Sequence, residues 1–206
     1  MDFYDRHVLP LLTDLGCGIK LLREERVRIV PLAKGEVLDV GIGSGLNLPL
    51  YDGSRVRRLI GLDPSQALLG YARRRLAKAS FPVALIETGA ERIPLPSASI
   101  DTVVVTFTLC TIPDVETALE EMRRVLKPQG RLLFLEHGLA PDPGVRRWQH
   151  RLTPLWGRFA GGCHLDRDVP VLLRNARFTI EDMERRYLPH APRIVGYTFR
   201  GTATRA

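Results

Sequence analysis

Glycines at three alternate positions directly after an apolar run constrain this chain more than any other feature. Glu36-Val37-Leu38-Asp39-Val40 leads straight into Gly41-Ile42-Gly43-Ser44-Gly45. The run reads as a buried strand, and the glycines let the backbone turn tightly and approach a ligand with no Cβ in the way. A dinucleotide-binding sheet would carry G-x-G-x-x-G, its third glycine letting helix and strand pack closely. Here that third position is Leu46, so the spacing is G-x-G-x-G instead. A carboxylate, Asp39, also stands two residues before the first glycine. An acid there suits a ligand with positive charge better than a pyrophosphate.

A second acid extends the pattern. Val56 to Leu62 reads as another strand, ending at Asp63-Pro64. A carboxylate at that strand end can accept both hydroxyls of a nucleoside ribose, and such ligands bind at the carboxyl ends of the strands. The strand ends at Asp63, Gly89-Ala90-Glu91 and Thr106 are expected to converge on one crevice. S-adenosylmethionine, a nucleoside with an ammonium and a sulfonium and no pyrophosphate, accounts for both acids and for the altered spacing.

The rest of the chain alternates short apolar runs with helical patterns, which predicts an α/β sheet. A helix is expected over Gln66–Ala79, a strand over Val83–Ile86 and another over Ile100–Phe107. Val115, Leu119, Met122 and Leu126 share one face of a helix that closes at Lys127-Pro128-Gln129-Gly130, and a fifth strand follows over Arg131–Glu136. After that the rhythm changes. Residues 145–160 hold two tryptophans, a helix is expected over Val169–Ala176, and two β-rich segments, Phe178–Arg186 and Arg193–Thr204, are expected to add an antiparallel hairpin. Residues 3–32 look like two helices that cover the site. The reading is one Rossmann-like domain with a mostly parallel seven-stranded sheet. It divides into a helical lid (1–32), a cofactor-binding core (36–136) and an acceptor-side insertion with closing hairpin (137–206).

Composition narrows the classes of function. The chain has 206 residues, 45% hydrophobic and 26% charged, which is ordinary for a globular domain. No apolar run approaches the roughly 18 to 20 residues of a membrane span, and the first residues lack a secretory pattern. Cys17, Cys110 and Cys163 are far apart and odd in number, as expected of free thiols in a reducing cytoplasm. The net charge of +7 raises the question of nucleic acid. Its arginines lie in separate segments with no aromatic residues between them to stack bases, so no nucleic-acid partner is expected. Phe3, Val8, Leu11, Leu12 and Leu15 give the N-terminal segment an apolar face suited to weak peripheral membrane contact.

The stretch from Glu36 to Glu136 resembles the class I S-adenosylmethionine-dependent methyltransferases, through EVLDVGIGSGLN, LIGLDPS, TGAERIPLP, SIDTVVVTFTLCTIPD and EEMRRVLKPQGRLLFLEH. The resemblance implies that Asp39, Gly41, Gly43, Gly45 and Asn47 cradle the methionine portion of the cofactor. It puts Asp63 and Pro64 at the ribose, and Gly89, Ala90 and Glu91 beside adenine. Thr106 and Leu109 would line the cofactor's open side, and Tyr4 of the lid would lie near it. Many relatives carry Asp where this chain has Gly89. The C-terminal third is similar to the small methyltransferase-like family that includes the alkyl-thiol methyltransferases. Glu136-His137, Trp148, Trp156 and Gly162-Cys163-His164-Leu165-Asp166-Arg167-Asp168 carry that likeness.

A small-molecule acceptor follows, most simply the sulfur of a thiol or sulfide. A thiol has a pKa near 8.5, so one base nearby helps it ionise. His137, at the cofactor end of the fifth strand, is the candidate base; Trp156, Cys163 and His164 are expected to shape the acceptor pocket. A lipid amine or a quinone precursor is the alternative acceptor, and a non-catalytic SAM- or NAD-binding module is the alternative of another class. No metal is expected, because Cys163-His164…Asp166 is too compact and too short of ligands for zinc.

Overall fold

The computed structural model describes Tyr4 and residues 8–206; Phe3, part of the expected apolar face, lies outside the described residues. One seven-stranded sheet runs through the chain in the order β3-β2-β1-β4-β5-β7-β6. Its strands are β1 (Gly35–Val40), β2 (Val56–Asp63), β3 (Val83–Glu87), β4 (Ile100–Thr106), β5 (Leu126–His137), β6 (Phe178–Tyr187) and β7 (Tyr197–Arg205). The first five are parallel, and β7 runs antiparallel between β5 and β6. Helices α1 (Leu9–Cys17), α2 (Lys20–Val27), α3 (Gln66–Arg75), α4 (Val115–Val125), α5 (Pro143–Phe159), α6 (Val169–Asn175) and α7 (Arg193–Gly196) complete the fold.

Strand periodicity sorts the core into two faces. Leu38, Val40, Val103, Val105, Leu132 and Phe134 pack under α4 and α6. Val37, Val104, Leu133 and Leu135 point the other way, toward Leu69 of α3 and the Ile29-Val30 turn. Val115, Ala118, Leu119, Met122 and Val125 form the buried stripe of α4 at helical spacing. Ser65 caps α3, Asp114 caps α4 and Asp168 caps α6, each accepting a hydrogen bond from the backbone N–H three residues on.

Several elements depart from expectation, among them α3, which ends at Arg75 with a 3₁₀ turn over Leu76–Lys78 in place of a helix to Ala79. β4 stops at Thr106 because Phe107 takes a left-handed φ of 54°. β5 begins at Leu126, running through the Pro128-Gly130 turn with an irregular register before Arg131. The last strand starts only at Tyr197, since residues 193–196 make the short α7. The two-tryptophan segment is α5, a 17-residue helix that tolerates Pro154 inside it. Gln149 of α5, fully buried, accepts from the Ala140 N–H and donates to the carbonyls of Gly138 and Ile194, which fixes α5 against the end of β5. Among the described residues no helix is long and apolar enough to cross a membrane.

Candidate active site

The loop after β1 forms the floor of a cavity of about 1040 Å³ at the carboxyl ends of the parallel strands. That is the upper end of the roughly 300–1,000 Å³ of small-molecule sites, room for a cofactor and an acceptor together. The three loop glycines have different duties. A Cβ at Gly41 would run into the Thr108 side chain, and one at Gly45 would press on Leu48 and Ala72 at 2.8 and 3.1 Å, so both positions are fixed by packing. Gly43, at φ 54°, faces the cavity; its nearest would-be neighbours are the Gly41 carbonyl at 3.8 Å and Asp63 Oδ2 at 3.9 Å. Its N–H donates to Asp63 Oδ2 at 2.9 Å while Ser65 N–H donates to Oδ1 at 2.8 Å. The carboxylate is thereby held at the strand end with lone pairs left for a ligand's hydroxyls. Pro64 lines the wall beside it.

Asp39 is not on the cavity wall. It is wholly buried beneath the loop, where it accepts hydrogen bonds from Tyr51 Oη at 2.8 Å and from Asn47 Nδ2 at 3.2 Å. Asn47 Nδ2 also reaches Thr106 Oγ1 at 3.1 Å, and it is Asn47 and Thr106 that line the cavity. Burial raises the Asp39 pKa to about 6, against the pull of Tyr51 and Asn47. Asp39 therefore meets the cavity only indirectly, through Asn47, which it holds, and through the field of its buried carboxyl.

Gly89, Ala90 and Glu91 all border the cavity. A Cβ at Gly89 would lie 2.6 Å from Glu91 Oε2, so the Glu91 carboxylate occupies the space that a side chain at position 89 would take. Leu109 departs from expectation: it is fully buried in the core, not on the wall. Tyr4 donates its hydroxyl to the Phe159 carbonyl at 2.7 Å, tying the start of the chain to the end of α5.

Helices α1 and α2 roof the cavity with Leu9, Leu12, Ile19 and Leu22. Arg75 anchors α1, bonding Asp14 at 2.8 Å and the Ser44 carbonyl at 2.6 Å. Glu25, buried, pairs with Arg186 and anchors α2 to the end of β6. Next to it Arg26 is 4% exposed, faces the cavity and lies 5.0 Å from the Phe107 ring. Its Nη1 donates to the Cys17 carbonyl, and its Nε is buried with no partner. The sequence reading missed this cation among many surface arginines; its signal was its place four residues after Leu22 on the apolar side of α2.

The C-terminal motif converges on the same cavity. Cys163 Sγ lies 3.2 Å from His137 Nε2, and Cys110 joins them: one donor atom from each of the three lies within 4.8 Å of the others. All three line the cavity. The Cys110 thiol and the His137 ring hold the Cys163 pKa well below the ordinary thiol range. His137 is raised in turn, the hydrogen bond and charge of Cys163 outweighing burial. Spacing alone conceals this cluster, since its members come from the segment after β4, the end of β5 and the segment after α5. Glu136, fully buried, braces it by accepting from the N–H groups of Thr108 and Leu109 at 2.8 and 3.1 Å. Arg167 reaches the carbonyls of Leu109 and Ile112 from the other side. His164 does not shape the pocket as expected: its side chain is exposed, and it contributes a backbone N–H to the Cys110 carbonyl. Trp156 stands at the cavity with 43% of its surface exposed.

The donors present fit S-adenosylmethionine: an open glycine against a strand-end carboxylate, a buried acid under the floor and a buried cation with an orphaned N–H in the roof. The fold and this cradle define a class I S-adenosylmethionine-dependent methyltransferase. Residues 38–134 match the methyltransferase domain family. The thiol S-methyltransferase TMT1B of Homo sapiens is 33% identical over 176 residues, 80% of this chain and 71% of that one. A phosphatidylethanolamine N-methyltransferase of Cereibacter sphaeroides is 36% identical over 112 residues, 53% and 54% of the two chains. A SAM-dependent methyltransferase of Thermotoga maritima, described as a possible histamine N-methyltransferase, superimposes with a TM-score of 0.67 at 19% identity, covering 98% of both chains. The chain belongs to the class I SAM-dependent methyltransferases, close to the thiol S-methyltransferases, and S-adenosylmethionine is its cofactor.

Proposed function

We propose that this enzyme methylates the sulfur of a small thiol or sulfide. The observation that carries the reading is the Cys163–His137 pair, 3.2 Å apart on the wall of the cofactor cavity. The likeness to thiol S-methyltransferases supports it. When bound, S-adenosylmethionine supplies a methyl group on a sulfonium, already activated, so the protein has to orient the acceptor and remove its proton. Asn47 and the loop hold the methionine end, with Arg26 set for its carboxylate. Asp63 holds the ribose, and Ala90 and Glu91 border adenine. His137, with Cys163 as the partner that shares its proton, serves the acceptor's deprotonation, while Trp156 and Phe159 wall an apolar tail. The helices of 1–32 act as a lid that excludes water, and residues 137–206 supply the acceptor side.

The phosphatidylethanolamine N-methyltransferase relative favours a second reading, a lipid amine acceptor. Exposed Leu11 and Leu15 on α1 and Trp148 and Phe159 on α5, two helices that contribute to the cavity wall, suit weak contact with a lipid surface. A methyl-transfer screen over small thiols, sulfide, amine lipids and quinols, read by S-adenosylhomocysteine release, separates the two. Thiol turnover is expected, and His137→Ala should slow it by about 10²–10⁴-fold, less at high pH where free thiolate is abundant. Turnover of the amine lipid or quinol alone would replace the acceptor and leave the cofactor assignment intact.

A further inference from the structure

Two thiols and an imidazole meeting at the wall of a reaction cavity are more than a base and its neighbours. Cys110, His137 and Cys163 are the donor types that zinc selects over magnesium or calcium. Around a tetrahedral zinc, with Zn–S near 2.3 Å and Zn–N near 2.0–2.1 Å, donor atoms sit about 3.6–3.8 Å apart. Here the sulfur–nitrogen edge is 3.2 Å, and every donor pair lies within 4.8 Å. Shifts of about 1 Å in the donor atoms would close the difference to those Zn–S and Zn–N lengths.

The backbone around the cluster is already fixed. His164 N–H bonds the Cys110 carbonyl at 2.8 Å, which locks the two cysteine segments together. Glu136 and Arg167 clamp the residues on either side of Cys110. His137 is held in the sheet opposite Thr198. Three protein ligands with the fourth side open to a cavity is the arrangement of catalytic rather than structural zinc.

We propose that Cys110, His137 and Cys163 form a zinc site whose open fourth position faces the cavity and takes the acceptor thiol as its thiolate. The inference rests on the thiol reading and deepens it: coordination, with His137 as a ligand, takes the place of direct proton uptake by a bare imidazole. On loading, the ion displaces the protons that the three side chains share. Two cysteine thiolates then neutralise its charge. The incoming thiol forms a zinc–sulfur bond, its S–H bond breaks and the proton leaves to water. The bound thiolate next forms a bond to the methyl carbon, and the methyl–sulfonium bond breaks with its electron pair kept by the cofactor's sulfur. The product is a thioether, a poorer ligand than a thiolate, so it leaves the ion.

The test is metal analysis and cobalt(II) substitution of the full-length protein. One equivalent of zinc is expected after gel filtration. The cobalt form should show a thiolate-to-cobalt charge-transfer band and tetrahedral visible bands that shift when a small thiol is added. Cys110→Ser and Cys163→Ser should each lose zinc affinity by more than the roughly 10–100-fold cost of an outer-shell change, with circular dichroism and SAM binding retained. No charge-transfer band, or a Cys110–Cys163 disulfide in the fully active protein, overturns the site. Full thiol methylation by chelated, metal-free protein overturns the ion's role and leaves the thiol reading standing. Zinc-loaded protein that methylates only amine lipids sinks the thiol reading itself.

Discussion

Asp39→Asn should stabilise the cofactor-free protein at alkaline pH and weaken cofactor binding. The wild-type carboxylate is wholly buried, and burial raises its pKa from 3.8 to about 6. An acid whose folded pKa is raised prefers to be protonated in the folded state. Its penalty is therefore absent below the unfolded value, grows as pH rises from 3.8 to about 6 and is complete above that. A shift of roughly two units is worth about 3 kcal/mol at about 1.4 kcal/mol per unit. The asparagine keeps an acceptor for Tyr51 Oη, but its own N–H₂ turns toward the Asn47 N–H₂, which costs about 1–2 kcal/mol. The net gain at pH 8 is about 1–2 kcal/mol, a rise in Tm of about 2–8 °C for a chain of this size. The gain should vanish near pH 5 and turn into a loss of about 1–2 kcal/mol near pH 4, where the carboxyl's penalty is gone and only the amide clash remains. The folded protein tolerates this charge because its ligand is cationic, so SAM affinity should fall about tenfold, as expected of one charge lost several ångströms from another. Thermal unfolding from pH 4 to 8, with calorimetric titration of SAM, reads both effects. A variant less stable than wild type at pH 8, with SAM affinity unchanged, would refute the reasoning.

Gly43→Ala puts a methyl into open cavity space at a left-handed φ. It should lower stability by about 1–2 kcal/mol and SAM affinity by more; a folded variant that binds SAM normally would show that the cofactor lies elsewhere. Gly41→Ala, which collides with Thr108, should instead appear mainly as lost stability in the same melting assay. Arg26→Met keeps the packing on Phe107 and removes the buried cation, so SAM should bind about 1.5–3 kcal/mol more weakly while a decarboxylated analogue is affected far less. Deleting residues 1–20 should cost methyl transfer much more than thermal stability, since α1 roofs the cavity and stays outside the buried core.

The glycine spacing and the two acids were legible because each is local: a strand, a turn and the residue that ends the next strand lie within a few positions. The order of strands followed from the apolar runs, and the antiparallel hairpin was readable from its β-rich composition. What stayed hidden depends on distance through the sheet. Asp39 could not be placed below rather than in the cavity, because a strand's period tells which face a residue takes and not whether a loop covers it. Leu109 and His164 were read from their neighbours, yet one turns into the core and the other toward solvent. Arg26 was one arginine among many until α2 folded over the site. The Cys110–His137–Cys163 cluster is the clearest case: each pair of its members is separated by a strand, a helix or both, and only the sheet order brings them within 4.8 Å. α5 was obscured by Pro154, which a helix of 17 residues accommodates when Gln149 fastens it to Gly138 at the end of β5 and Thr153 accepts from the Leu165 N–H.

The most direct test of the central claim is the fate of a labelled methyl group. The purified enzyme is given S-adenosylmethionine with a labelled methyl and an equal mixture of a small alkyl thiol, phosphatidylethanolamine and a demethylated quinol, and the products are identified by mass spectrometry. Label should accumulate in the S-methyl thioether, matched one for one by S-adenosylhomocysteine. Label confined to the lipid or the quinol, with no thioether formed, would contradict the account.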